Sequence, residues 1–529
     1  MLSFLRVRRA EHPLADIKRA TQRLQRLPTD PVRALQELCG WLSSVHGAVD
    51  LRPEQRAAMI KFLDTSAQRY LGRASRAFAA AKTLPGHPAE QDRIWTALCD
   101  FYKQDALALG SCIDAFELRT AETAALRPMR AGLSIRALRA MRELLKWLSI
   151  RYGPLDEPVW QMASAVYALA DRSKYSTTPY TLYAKSAIET TVEREYLRIA
   201  MFSASSPQSL TPLEIEIAER IIASRSDDFV ITPLYQSGVT FWVDLATERA
   251  PQRYLTPPPP QATMRFLSAA QAAEKVLSLA GEIMLNRMLP AQFADLEGCT
   301  SERLLSVLTH LAGHWSAQPA QRRHPRHAIA ERLSVVHGFS AIINLIANTP
   351  LTDSPTKDAS SNEIESWAIE NVSAGGIGAR VERLDHDGLG VGGVLALQIP
   401  SAQGWQIGLV RRLSRTAQAQ ASVGIEVLAR DPLVAPLRVE LEGELIEPAE
   451  PALLMDAPAL SNEEGGVRVL VRSGLYVPGQ SFNVDYRDER YTLHPRQVLH
   501  RGDDHVLIRC EATRASPPDA SDEHLGEPD

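Results

Sequence analysis

The sequence predicts a multidomain α + β protein, with a large α-helical domain at its N-terminal side and β-rich segments at its C-terminal side. Up to about residue 226, apolar residues recur at the spacing of helices. From about residue 321, short runs rich in β-branched residues alternate with Gly, Pro, Asp and Ser turns. A length of 529 residues is enough for about three domains.

These changes of pattern divide the chain into segments. The predicted segments are an α-helical domain (1–227), a β-hairpin with a Pro-rich linker (228–262), a helical segment (263–318), a β-rich segment of barrel or sandwich type (319–432), a further β-rich segment (433–511) and a disordered tail (512–529). The sequence does not assign the further β-rich segment, which could be a degenerate second barrel.

One helix shows its N-terminus clearly in the sequence. Thr211 can cap the helix, Pro212 suits the first helical position, and Glu214 can accept a hydrogen bond from the Thr211 amide. Leu210 and Ile215 stand where a hydrophobic staple is expected. We therefore predict a helix that begins directly after Thr211.

A second helix carries opposite faces of different character. Apolar residues form one stripe, namely Ile135, Leu138, Met141, Leu145 and Leu148. Cations follow the other face, namely Arg136, Arg139, Arg142 and Lys146. This face is either a basic patch for an acidic partner or a solvated surface, and solvated surfaces are the commoner case.

The pattern changes near residue 228. Phe229–Ile231 and Tyr235–Val243 have strand composition and predict a β-hairpin. Four consecutive prolines, Pro257–Pro260, then favour an extended linker or spacer. Helix is expected to resume over Thr263–Leu289.

Composition restricts the class of protein. The chain has 58 Lys and Arg against 63 Asp and Glu, a net charge of −5, which excludes a strongly basic nucleic-acid protein, so no DNA or RNA partner is expected. Its five cysteines form no CxxC motif, which favours a reducing compartment. The sequence shows no signal peptide and no apolar run of about 20 residues. We expect a cytoplasmic protein without membrane insertion.

Three arginines lie within five residues where the helical and β-rich halves meet. They are Arg322, Arg323 and Arg326, and Pro325 disfavours a helix through them. Each guanidinium offers a planar fork of donors that fits phosphate oxygens or the acceptor edge of guanine. The segment therefore predicts a site for a phosphorylated or guanine-containing ligand.

A second motif follows about 45 residues later. Asn371 and Ser373 are two residues apart, so on a strand they share one face. Their side chains can hydrogen-bond a base or a phosphate. Gly375 and Gly376 permit unusual backbone angles and close approach of a ligand to the backbone.

The two motifs together, Arg322-x-x-x-Arg326 and Asn371-x-Ser373-x-x-Gly376, resemble the RxxxR and [D/N]xSxxG motifs of the PilZ domain family. The strand-like run Trp405–Arg412 and the closing segment Val423–Val427 are also similar to that family. The resemblance covers residues 319–432, about a fifth of the chain. It departs from the family in the longer spacing between the motifs, which includes the polar stretch Thr349–Ser366, interpreted as a surface insertion.

The resemblance implies a six-stranded antiparallel β-barrel that binds the bacterial second messenger cyclic di-GMP. It implies no catalytic residue, no metal and no cofactor. The ligand-binding residues that it implies are Arg322, Arg323 and Arg326 for phosphates and guanine, Asn371 and Ser373 for a guanine, and Gly375 and Gly376 for an open turn. The helical domain would relay binding to a protein partner.

Other functions remain open at this level. The chain could be a ligand-independent interaction scaffold that keeps a degenerate PilZ-like barrel, because its helical region is larger than a sensor needs. An enzyme is disfavoured, since no nucleophile elbow or Walker A loop is present. His310 and His314 are four residues apart on a helix, but no third metal ligand is evident. Gly388–Gly393 fits GxGxxG, but strand composition follows it, which favours a hairpin turn.

Overall fold

The structure is a computed structural model and forms two compact units, residues 1–321 and residues 322–529. It describes residues 12–14, 16–81, 88–116, 124–154, 157–183, 189–318, 324–348, 364–382, 389–400, 404–416, 420–441, 444–455, 466–487 and 489–514. No helix among these residues is both long and apolar enough to cross a membrane.

The first unit is mainly helical. Its helices are α1 (Ile17–Leu24), α2 (Pro31–His46), α3 (Pro53–Ala81), α4 (Pro88–Asp114), α5 (Arg130–Ile150), α6 (Glu157–Arg172), α7 (Val192–Ala204), α8 (Pro212–Ser224), α9 (Ala270–Asn286) and α10 (Ser301–Trp315). The predicted start of α8 is confirmed. Thr211 accepts a hydrogen bond from the Glu214 amide, and the Glu214 carboxylate accepts one from the Thr211 amide at 2.8 Å.

Short strands interrupt the helices. They are β1 (Tyr180–Thr181), β2 (Glu189–Thr190), β3 (Val230–Thr232), β4 (Phe241–Asp244), β5 (Gln252–Arg253) and β6 (Met264–Ser268). The last four form one sheet in the order β3-β6-β4-β5.

The predicted hairpin is wrong in its pairing. Strands β3 and β4 do not pair with each other, because β6 lies between them and pairs with both. Helix was expected from Thr263, yet this stretch is a strand up to Ser268. Local composition shows that β3 and β4 are strands, but only the third strand, distant in sequence, decides which edges are joined.

The residues after the sheet share a core with the first helices. Trp315 of α10 is fully buried, donates from Nε1 to Ser205 Oγ at 2.9 Å and meets Phe229 edge to face. Val276 of α9 belongs to the same buried apolar cluster. The helices after residue 263 therefore pack on the N-terminal helices through a continuous apolar core.

The cationic face of α5 is not solvated. Arg136, Arg142 and Lys146 are only 3%, 5% and 8% exposed. Arg142 pairs with Glu195 of α7 at 2.9 Å, and Arg136 pairs with Asp64 of α3. The interpretation as a solvated face is wrong for these three residues, because carboxylates on neighbouring helices compensate the buried cations. The sequence pattern of α5 by itself does not show that these carboxylates lie on neighbouring helices.

The second unit contains two closed six-stranded antiparallel barrels. The first consists of β7 (Arg332–His337), β8 (Glu365–Ser373), β9 (Gly376–Val381), β10 (Val394–Gln398), β11 (Gln406–Arg415) and β12 (Ala421–Ala429). The second consists of β13 (Leu433–Leu441), β14 (Glu444–Leu454), β15 (Val467–Arg472), β16 (Ser481–Tyr486), β17 (Glu489–Arg501) and β18 (His505–Arg514). The expected barrel in an α + β protein is thus confirmed.

The two barrels have the same topology. Around each barrel, the first strand pairs with the second and the fourth, and the third pairs with the second and the sixth. The β-rich segment after residue 432 is therefore a second barrel with the strand order of the first.

A short helix, α11 (Phe339–Ala347), lies between the barrels. Its residues Phe339 and Ile342 are buried in a cluster with Ile407 of the first barrel and Leu453 and Leu507 of the second. The helix follows β7 directly and packs against strands of both barrels. The two barrels therefore share an apolar interface.

Candidate functional site

Asn371 and Ser373 lie near the end of β8 on the outer face of the first barrel. Asn371 pairs with Gly378 and Ser373 with Gly376 across the β8–β9 ladder, and Val372 between them pairs with the buried Ile377. Because side chains alternate along a strand, Asn371 and Ser373 share the face opposite to Ile377. A register shift between Ile369 and Asn371 leaves Glu370 as an extra residue, so that Ile369 and Asn371 lie on opposite faces although they are two residues apart.

The arginine segment lies against the same strand. His327 and Val372 form an isolated bridge, with both N–H···O hydrogen bonds at 2.9 Å. Continuing this antiparallel register by one residue places Arg326 opposite Ser373. The same alternation assigns Arg326 to the outer face that carries Asn371 and Ser373. Arg326 is exposed, and Arg322 and Arg323 lie outside the described residues.

The two glycines of the motif have different surroundings. A Cβ on Gly376 would meet the Ile425 carbonyl oxygen of β12 at 2.6 Å, whereas a Cβ on Gly375 would meet nothing within 4 Å. Neither residue has a positive φ. The Gly375 carbonyl accepts a hydrogen bond from Val427, and the Ser373 hydroxyl donates to the Gly376 carbonyl at 3.3 Å. Gly376 therefore serves close packing, and Gly375 leaves the turn open.

Two ion pairs occupy the same outer face. Arg380 on β9 pairs with Glu370 on β8 at 2.7 Å. Arg411 on β11 pairs with Glu426 on β12 at 2.6 Å. Each carboxylate is thereby compensated locally, so this part of the face does not present uncompensated negative charge to a phosphate.

The sequence analysis missed three residues beside this motif. Gly378 pairs with Gly424 of β12, and Gly424 pairs with Arg412 of β11. Because Asn371 pairs with Gly378, these three residues and Asn371 form one row of neighbouring positions across the outer face. Glycine at outward positions of adjacent strands is a signal in the sequence, but the strand order is needed to see that the positions adjoin.

The histidine pair His310 and His314 does not form a metal site with the described residues. His310 hydrogen-bonds the Ser205 carbonyl at 2.7 Å, and burial, followed by the effect of His310, lowers the pKa of His314 to about 4. Among the described residues no group of three metal-ligating side chains comes together.

Gly393 is followed by β10 and not by a helix, so the glycine-rich stretch Gly388–Gly393 is no dinucleotide motif. It is also no hairpin turn, because β9 does not pair with β10.

Comparison with protein families matches two parts of the chain. A model described as the N-terminal domain of the cyclic-di-GMP receptor FimW matches residues 18–234. A model described as the middle PilZ domain of the same receptor matches residues 343–432. Together they span more than half of the chain, and the second includes Asn371 and Ser373 but begins after the arginine segment. No curated protein matches the chain.

Proposed function

The chain belongs to the family of FimW-type cyclic-di-GMP receptors, which are PilZ-domain effectors with an N-terminal region, and we propose that its ligand site is the outer face around the β8–β9 turn. Asn371 and Ser373 contact a guanine there. Arg322, Arg323 and Arg326 donate to phosphates and to guanine. Gly375 keeps the turn open to the ligand, and Gly376 lets β9 approach β12 closely enough to hold that turn in place.

The observation that carries this proposal is the bridge between His327 and Val372. It ties the end of the arginine segment to the strand that carries Asn371 and Ser373. Residues far apart in sequence thus converge on one surface. Guanidinium groups beside amide and hydroxyl groups suit a ligand with two phosphates and two guanines, and no metal is needed for such contacts.

The helical unit transmits ligand binding to a protein partner. The arginine segment begins at residue 322, directly after the point where the chain passes from the first unit to the second. A ligand held by this segment acts where the chain links the two units, which supports a relay. The protein acts as a non-enzymatic cytoplasmic effector without DNA, RNA or membrane insertion as part of its function.

The binding proposal is tested by calorimetric titration of cyclic di-GMP into the full-length protein. Arg322→Ala and Arg326→Ala each weaken binding by about 1.5–3 kcal/mol, the range of charge-assisted hydrogen bonds. Arg509→Ala is the matched control, because Arg509 is an exposed strand arginine of the second barrel. Unchanged affinity in the Arg322→Ala/Arg326→Ala double variant would contradict the site.

The relay is tested separately by capture of partners with the full-length protein, with and without cyclic di-GMP. Recovery of a partner that depends on the ligand, and that is lost in the double arginine variant, is the expected result. Equal recovery under all conditions would identify the chain as a ligand-independent scaffold.

A further inference from the structure

Four residues form a continuous row across the outer face of the first barrel. Asn371 on β8 pairs with Gly378 on β9, Gly378 pairs with Gly424 on β12, and Gly424 pairs with Arg412 on β11. All four positions face outward, since Ile377, Val423 and Ile425 beside the glycines are buried. The row therefore runs from an amide to a guanidinium over two strands that carry no side chain at this level.

The two glycines let the side chains at the ends of the row approach its centre closely. A Cβ on Gly378 would lie 2.9 Å from the Asn371 amide, and a Cβ on Gly424 would lie 3.2 Å from Cβ of Arg412. The Asn371 amide therefore already lies over Gly378, and the uncovered backbone of the row is at Gly424, beside Arg412. Three strand spacings separate Asn371 from Arg412, which is about 14 Å between their backbones. Such a surface accommodates a planar aromatic ring.

Arg412 is free to bind a ligand at one end of the row. A register shift between Val410 and Arg412 leaves Arg411 as an extra residue, and Arg411 takes the Glu426 carboxylate at 2.6 Å. Arg412 is exposed, and no carboxylate of the described part of the chain pairs with it. The bulge therefore places Arg411 in an ion pair with Glu426 and leaves the guanidinium of Arg412 available to a ligand.

We propose that one guanine of the ligand lies flat over Gly424, with Arg412 donating to its O6/N7 edge and the Asn371 amide, which lies over Gly378, bonding its opposite edge. This inference rests on the proposed function and adds Arg412 as a residue that reads the base. Guanine presents two acceptors, O6 and N7, side by side, which the two parallel donors of a guanidinium match. The amide of Asn371 offers both an acceptor and a donor to the other edge of the ring.

The test is calorimetric titration of cyclic di-GMP into the full-length wild type and single variants. Arg412→Ala weakens binding by about 10- to 100-fold, as loss of a charge-assisted pair of hydrogen bonds implies. Arg412→Lys restores little of this, because lysine lacks the planar fork. Arg509→Ala binds as the wild type does. Thermal unfolding of each variant checks that the exposed substitution leaves the fold intact.

The outcomes separate this inference from the proposed function. If Arg412→Ala binds like the wild type while Arg326→Ala does not, Arg412 has no role and the proposed site stands. If Arg412→Lys binds fully, the contact needs only a point charge and the assignment to the guanine edge is wrong. If the wild type itself does not bind, the proposed function and this inference both fail.

Discussion

At the scale of single residues, Gly375 and Gly376 differ sharply in what they tolerate. A Cβ on Gly376 would meet the Ile425 carbonyl at 2.6 Å, closer than real side chains approach, while Gly375 faces open space. The second barrel has a comparable glycine. A Cβ on Gly466, directly before β15, would meet the Cys510 carbonyl of β18 at 2.6 Å. In both barrels the start of the third strand approaches the sixth too closely for a side chain.

Gly376→Ala is expected to destabilise the first barrel by about 1–3 kcal/mol, because overpacking forces the β9 and β12 backbones apart. Gly375→Ala is the control and is expected to change stability little. Thermal unfolding of both full-length variants measures the difference. Equal unfolding temperatures would show that the Ile425 carbonyl moves without cost.

Asp105 of α4 is a buried carboxyl group with an incomplete set of partners. It is 2% exposed, and its Oδ1 makes no hydrogen bond with the described residues. Burial, followed by the negative charge of Asp64, raises the pKa of Asp105 well above its usual value, although Arg136 acts in the opposite direction. The folded protein therefore holds the Asp105 carboxyl group protonated at pH values where the same group is ionised in the unfolded chain.

Asp105→Asn should become progressively more stabilising as the pH rises. A carboxyl group whose pKa is higher in the folded than in the unfolded state destabilises the folded protein once the pH exceeds the unfolded pKa. The asparagine side chain does not ionise, so the variant avoids this loss. The difference in unfolding free energy between Asp105→Asn and wild type should widen as the pH rises above about 4, the ordinary pKa of an aspartate. The exposed Asp100→Asn on the same helix is the control. A gap that narrows with rising pH would contradict the raised pKa.

At the scale of elements, α5 is a helix with two buried faces. Its apolar stripe packs in the core, and its cations face carboxylates of α3, α7 and α8. Burial alone would lower the pKa of Lys146, but Glu143 and Glu216 together raise it. The helix therefore fixes its neighbours by charge as well as by apolar contact.

Arg142→Ala is expected to cost about 3–5 kcal/mol, because it leaves buried carboxylates without their cation. Arg142 contacts Glu143 at 2.8 Å, Glu195 at 2.9 Å and Glu219 at 3.3 Å. Arg139→Ala on the same helix is the control, since Arg139 is only partly buried and stacks on Tyr183. Chemical denaturation followed by circular dichroism distinguishes them, and similar losses would mean that the network adds nothing.

At the scale of the whole molecule, the two barrels share an apolar interface. Phe339 and Ile342 of α11 are buried against residues of both barrels, and Asp504 of the second barrel accepts a hydrogen bond from the Phe339 amide at the N-terminus of the helix, at 2.8 Å. His500 also hydrogen-bonds the Gly392 carbonyl at 2.9 Å. The second barrel is therefore part of the same compact unit that carries the candidate site.

Removal of residues 433–529 should expose the apolar interface around Phe339 and Ile342. The shortened protein is expected to bind a hydrophobic dye such as ANS and to unfold at a lower temperature, because buried apolar surface becomes solvent-accessible. A chain that ends at residue 514 keeps both barrels and is the control. No increase in dye binding would show that the first barrel is self-sufficient.

Local patterns predicted a substantial part of this molecule. The start of α8 follows from Thr211 and Glu214 because capping involves residues three apart, and the change from helices to barrels follows from the change in hydrophobic period. The family resemblance was sufficient to identify a cyclic-di-GMP receptor. The pairing of β3, β4 and β6 and the partners of Arg142 were not predictable, because they depend on residues distant in sequence.

The sequence by itself determined the class of the protein, the order of its helical and β-rich parts and the two motifs of the candidate site. The tertiary structure alone decided that three cations of α5 are buried, that the second β-rich segment closes into a barrel and that Gly378, Gly424 and Arg412 extend the row of Asn371. The physical reason is the range of the interactions. Capping and periodicity act within a few residues, whereas strand register and charge pairing join residues that only the folded chain brings together.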